Sequence, residues 1–194
     1  PGDPLTLFGV SSDGNWLGVI SDSGVGWVER GLVGIGSKVE IEDYLNETDR
    51  LITIGPNPKI LSNNKSSEGS MGCSFPLNDH LRQTVIIPGR NRKGELSFKT
   101  GAIIGETVRD HLPRSAHHLI RQAFKYLGHR YAWGDRDAAG AGRDCSRLIR
   151  DVLRSLGYKP PRNSQEQLAV GKNRVNMAGR NFSQRLALLK KIAP

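Results

Sequence analysis

Of the side chains in this 194-residue sequence, cysteine is the strongest nucleophile, and only Cys73 and Cys145 are present. Cys145 follows Asp144 and precedes Leu148, Ile149, Val152, Leu153 and Leu156, which fall on one face at helical spacing. The pattern predicts a helix beginning at about Ser146, with the thiol at its start, facing unpaired backbone N–H groups and the positive end of the helix dipole. Both favour the thiolate, the form that attacks a carbonyl carbon. Asp144 is placed either to cap that helix or to bind a cationic ligand group. Tyr131 is a candidate hydroxyl donor beside the nucleophile. A lone cysteine at a helix start is more often a small buried residue than a catalyst, so the reading depends on its surroundings. A general base is not obvious: His80, His111, His117, His118 and His129 all precede Cys145 and none follows it. His117 and His118 are adjacent and point in different directions, poor geometry for a metal, and no Cys, His or carboxylate cluster completes a site. All five read as surface or structural histidines, and no metal or cofactor is expected.

Helical periodicity begins only after Pro113. Ser115–Leu127 places Leu119, Ile120, Ala123, Phe124 and Leu127 on one face. A third helix starts at Asn163 or Ser164, where Ser164-Gln165-Glu166-Gln167 has capping-box form, and a fourth covers 183–192. The preceding chain alternates short apolar runs with turn residues. Leu5–Val10, Trp16–Ile20 and Val25–Val28 read as a β-meander whose two tryptophans are expected in a core. Leu51–Ile54, Lys59–Leu61, Thr84–Ile87, Glu95–Lys99 and Ala102–Ile104 read as a second β-rich unit, with the polar run Ser62–Ser70 as a loop. The expected organisation is α+β: two small β barrels over 1–45 and 46–110, then a helix-rich unit over 111–194, with the β-to-helix boundary near 106–114.

The string Leu127-Gly128, Tyr131-Ala132-Trp133-Gly134, Asp144-Cys145-Ser146, Leu156-Gly157 and Pro161-Arg162-Asn163-Ser164-x-x-Gln167 resembles the NlpC/p60 family of papain-like cysteine peptidases. The likeness covers roughly 50 residues and joins several spaced elements. The runs around Gly14-Asn15-Trp16 and Gly26-Trp27-Val28 are similar to bacterial SH3 domains. The order resembles tandem-SH3 γ-D-glutamyl-L-diamino acid endopeptidases, also called dipeptidyl-peptidase VI. The resemblance implies two SH3-like barrels ahead of the helical N-terminal part of a papain-like domain. It implies Cys145 as nucleophile and Tyr131 shaping the oxyanion site. Asp144 and Ser146 would line the pocket for the free α-amine of L-Ala on a peptidoglycan stem peptide or muropeptide. Three departures stand out. Arg147 replaces the usual Gly, Asp135 replaces a second Gly after Gly134, and the catalytic His, which in the family follows the cysteine helix, is not found. The chain is therefore expected to be cut short at both ends, and inactive by itself. The polar loop 135–143 is expected to border the cleft.

Hydrophobic residues make up 37% and charged residues 24% of the chain, enough apolar material for a core and too little for wholesale disorder. No apolar run approaches the ~18–20 residues of a membrane span. Charge is uneven: residues 109–194 hold 18 basic and 6 acidic side chains, net +12, against −3 for the rest. That half predicts an anionic partner or a solvated basic face. With no recognised nucleic-acid module, nucleic acid is not expected as the partner. Cys73 and Cys145 sit in different contexts and are expected to stay unpaired. The leading expectation is a peptidoglycan-cleaving cysteine peptidase, periplasmic, secreted or wall-associated, or serving cytoplasmic recycling. The alternative is a non-catalytic wall-peptide-binding SH3 protein with a relic peptidase region. A histidine on the natural continuation separates the two.

Overall fold

A computed structural model describes residues 2–62, 65–79, 81, 83–135, 142–171 and 175–191. His80, most of the 135–143 loop and the last three residues lie outside them. Three strands, β1 (Thr6–Val10), β2 (Trp16–Ser21) and β3 (Gly24–Glu29), form an antiparallel sheet in chain order. On β2, Leu17 and Val19 are buried. Trp16 and Ile20 alternate with them onto the opposite face, where their partners are Glu29 and Val25 and where Gly18 faces Trp27. Both tryptophans therefore differ from the sequence expectation: Trp16 is 41% and Trp27 56% exposed. Among the described residues Trp27 has one ring neighbour, Phe8, edge-on at 6.0 Å, and the Phe8 ring lies where a Gly18 side chain would stand.

Helix α1 (Lys38–Asn46) follows, closed at its N-terminus by a capping box between Ser37 and Glu40. Its Tyr44 is buried and stacks on Phe98 at 5.3 Å. Phe98 belongs to the second sheet. Its strands are β4 (Arg50–Thr53), β5 (Lys59–Ser62), β6 (Lys65–Glu68), β7 (Ser74–Asp79), β8 (Thr84–Arg90), β9 (Leu96–Ile104) and β10 (Thr107–Arg109). Their spatial order is β10-β4-β7-β8-β9-β5-β6. The polar run expected as a loop contains β6, which pairs antiparallel with β5 at the sheet edge. An edge strand tolerates Lys65-Ser66-Ser67-Glu68 because all four side chains face solvent. The two strands expected over 95–104 are one. It runs through Gly101, where a Cβ would collide with the Ile87 side chain and the Leu61 carbonyl. The sheet core is Leu51, Ile60, Cys73, Phe75, Val85 and Ile87.

The helical part comprises α2 (Ala116–Phe124), α3 (Cys145–Ser155), α4 (Ser164–Val170) and α5 (Phe182–Leu189). α4 is capped by Asn163, whose side chain accepts from the Glu166 N–H at 2.8 Å. Of the apolar stripe expected over 115–127 only Ala123 packs inward: Leu119, Ile120 and Phe124 of α2 and Leu127 just beyond it are exposed, while Gln122 and Tyr126 are buried. The opposite orientation is fixed by Lys125, whose ammonium donates to the Ile54 carbonyl at 3.0 Å and pairs with Glu106 at 2.6 Å. A second core joins the halves, with Met71 from the β part set between Tyr126 and Val152.

Candidate active site

Cys145 is the first residue of α3 and is exposed, whereas Cys73 is buried; neither is in a disulfide. The helix starts here because Asp144 is its N-cap, its Oδ1 accepting from the Arg147 N–H at 2.8 Å. No described group accepts from the Cys145 or Ser146 N–H, so both remain free at the positive helix end. A short parallel bridge pairs Tyr131 with Arg143, through Arg143 N–H to Arg130 carbonyl and Ala132 N–H to Arg143 carbonyl, both 3.1 Å. The bridge brings Tyr131 beside Cys145. Desolvation, then the neighbouring Cys145 and Asp144, push its phenol pKa up, so it remains a protonated donor at neutral pH. Tyr131, Asp144, Cys145 and Ser146 thus come together. Cys145 lines neither the cavity beside Arg150 nor the one beside Phe98.

Arg162 is the residue whose role the sequence left unassigned. Its guanidinium spans both Asp144 oxygens, at 3.2 and 2.8 Å, and donates to the Ser146 hydroxyl at 3.0 Å. Ser146 in turn donates to Asp144 Oδ1 at 3.0 Å. Burial raises the Asp144 pKa. That effect is outweighed by Arg162, the Arg147 N–H and Ser146, which hold the carboxyl at about 2. Gln167 closes the unit, its amide donating to the Ser146 and Pro161 carbonyls, both at 2.9 Å. Both residues were visible in the Pro161-Arg162-Asn163-Ser164-x-x-Gln167 string, but only the fold shows that they fasten α4 to the start of α3.

A deeper layer holds this arrangement. Arg143 and Asp151 form a buried ion pair at 2.9 Å. Tyr126 donates its hydroxyl to Asp151 at 3.3 Å and lies under the Arg143 guanidinium. Desolvation and Asp151 push the Tyr126 pKa up. Arg143 also donates to the Pro56 carbonyl, and Arg147 to the Ser70 hydroxyl, both at 2.6 Å. The bulk at position 147, a glycine in the expected pattern, therefore serves as a strut to the β part.

The described histidines stand elsewhere. His118 bonds Ser115, His129 packs edge-on against Tyr126, His117 packs edge-on against His118, and His111 packs against Gly157. None hydrogen-bonds Cys145. Among the described residues no three His, Cys, Asp or Glu side chains cluster as metal ligands, and no helix is long and apolar enough to cross a membrane.

A sequence model of the NlpC/P60 family matches residues 128–182. That stretch contains Tyr131, Asp144, Cys145, Ser146, Arg162 and Gln167. Solved structures agree on the fold. An NlpC/P60 endopeptidase from Photobacterium damselae subsp. piscicida superposes with TM-score 0.69 at 18% identity, over 85% of this chain and 35% of its own. An NlpC/P60 family protein from Bacillus cereus ATCC 10987 does so with TM-score 0.60 at 24% identity, over 86% of this chain and 57% of its own. The chain thus spans about a third to just over half of the NlpC/P60 proteins it resembles. No curated protein matches its sequence.

Proposed function

We propose that this chain carries the nucleophile of a cell-wall cysteine endopeptidase that hydrolyses the γ-D-Glu–diamino acid bond of peptidoglycan stem peptides or muropeptides. The observation that carries the reading is the exposed Cys145 at the start of α3, beside Tyr131, inside the stretch matched by the NlpC/P60 family. The thiolate attacks the amide carbonyl carbon. The carbonyl oxygen becomes an oxyanion, received by the Cys145 N–H and the Tyr131 hydroxyl. The C–N bond then breaks, a proton passes to the leaving amine, and water hydrolyses the resulting thioester. No described histidine hydrogen-bonds Cys145, and the acid–base role is assigned to a histidine outside the described residues.

Asp144 and Ser146 are assigned to the free α-amine of the substrate's L-Ala. Among the described residues Oδ2 of Asp144 accepts only from Arg162, which leaves one acceptor position for an ammonium. The two antiparallel sheets are read as SH3-like modules framing the substrate, and the place of action as the periplasm or cell wall, with cytoplasmic recycling as the variant. The unpartnered thiol also favours a second reading, a non-catalytic wall-peptide binder.

The test is chromatographic cleavage of L-Ala-γ-D-Glu-diamino acid peptide, free and N-acetylated, by the 194-residue chain and by a form extended about 50 residues. The extended form should cleave only the free peptide and lose this with Cys145→Ala, and the 194-residue chain should be inactive. Cleavage that survives Cys145→Ala would overturn the assignment. Equal turnover of both peptides would overturn the amine specificity. Saturable binding without cleavage by either form would establish the binder.

A further inference from the structure

Arg150 lies five residues beyond Cys145, ~140° around α3 at ~100° per residue, so it faces away from the thiol. It is 7% exposed, yet its Nε has no hydrogen-bond partner and no described carboxylate pairs with it. The neighbouring Asp151 is engaged by Arg143 and Arg147. A buried guanidinium is ordinarily paired, because the stranded charge is unfavourable. Burial first, then Arg154, make the charged form of Arg150 harder to hold, and Asp3, Asp151 and Asp22, none of them paired with it, offset this only in part.

Arg150 lines a cavity of about 470 Å³ between α3, residues 2–4, the end of α1, the β2–β3 turn and strands β4 and β7. Arg50, Arg154 and Lys159 share its walls, against only Asp3 and Asp22. Asp3 is taken by Arg154 at 3.1 Å. Arg50 is fixed entirely by neutral groups: the Ser74 hydroxyl and carbonyl and the Tyr44 and Glu47 carbonyls. Four cations thus face two carboxylates, with a rigid arginine on one wall and an unpaired one on another. This is the interior counterpart of the net +12 of residues 109–194.

We propose that this cleft is an oxyanion site that takes a phosphate group, with Arg150 as its central ligand. The guanidinium offers parallel N–H donors to two oxygens of one phosphorus. The near-dianionic charge of a phosphate monoester at neutral pH matches the two uncompensated cations, and the remaining volume admits the group that carries it. The site is separate from the thiol, so it can be occupied whether or not Cys145 is catalytic.

Calorimetric titration of the 194-residue chain in a chloride buffer of constant ionic strength tests this, using inorganic phosphate, glycerol 3-phosphate and a glycerophosphate diester. One saturable site for inorganic phosphate is expected, weakened about tenfold or more by Arg150→Gln and measurably by Lys159→Gln, whose side chain is exposed. Tighter binding of the monoester than the diester would assign small phosphate metabolites as the source, and the reverse order a phosphodiester polymer. As a check independent of variants, phosphate should shift the Arg150 Nε–H resonance in the unmutated chain. Absence of saturable binding for all three up to about 10 mM, an unmoved resonance, or equal binding by Arg150→Gln would each overturn the proposal.

Discussion

The two oxygens of Asp144 carry unequal loads. Among the described residues Oδ1 accepts from the Arg147 N–H, Ser146 and Arg162, and Oδ2 from Arg162. Losing the carboxylate removes a helix cap and leaves Arg162 without its counter-charge. Asp144→Ala should therefore destabilise the chain by about 1–2 kcal/mol for the cap, read as a lower urea midpoint. The carboxyl titrates at about 2 when folded and at about 3.9 when unfolded. Because the folded value is depressed, its contribution is complete above about pH 4 and is lost as pH falls through about 2. The stability gap between the wild type and Asp144→Asn should close over that window and stay constant from pH 5 to 7. Deeper in, Asp151→Asn strands the buried Arg143 cation and should cost roughly 3–5 kcal/mol by the same measurement. The thiols give a simpler readout. A disulfide reagent should label Cys145 in the native chain and reach the buried Cys73 only after denaturation, so labelling rises from one thiol to two.

α3 meets the β part at a turn with almost no clearance. Gly72 has φ of +82°, and a side chain there would run into the Arg154 Cβ, with the Ser155 N only 3.1 Å away. Gly72→Ala should lower stability by about 2–4 kcal/mol, through backbone strain and overpacking together, seen as a reduced thermal midpoint. Helices of this kind were legible in the sequence because the period of Leu148, Ile149, Val152, Leu153 and Leu156 is local information. β7 was not, since Pro76 reads as a strand breaker, and at its position it pairs with Arg50 of β4 through register alone. α1 was missed although Ser37-Lys38-Val39-Glu40 carries the capping-box signal. The thiol's place at a helix start followed from patterning. The Arg162–Asp144 clasp did not, because contacts across 18 residues depend on how α4 folds back. The inward expectation for Trp16 and Trp27 failed because amphipathic spacing identifies a face without saying which way it turns.

For the whole molecule the balance of surface is unusual. α2 presents Leu119, Ile120 and Phe124 to solvent, with Leu127 just beyond it, and α5 presents Phe182 and Leu189. Apolar patches of this extent are seldom left bare in water. The isolated chain should bind the dye ANS and self-associate with concentration in sedimentation velocity. Ile120→Glu together with Phe124→Glu should reduce both, with the urea midpoint changed by no more than about 0.5 kcal/mol per site. A second cavity of about 160 Å³, between Pro4, Leu32, Ile41 and Phe98, belongs to the packing of α1 on the sheets. Several of the bonds that dock the helical part on the second sheet end on main-chain oxygens: Arg143 on Pro56 and Lys125 on Ile54. A carbonyl is present whatever side chain accompanies it. Drift in the identity of residues 54–56 is therefore invisible to these bonds, whereas inserting or deleting one residue between Ile54 and Pro56 changes the spacing of the two acceptors. Length, more than composition, is what this docking asks of that loop, and a chimera that exchanges the β part must keep the loop's residue count to keep the thiol in place.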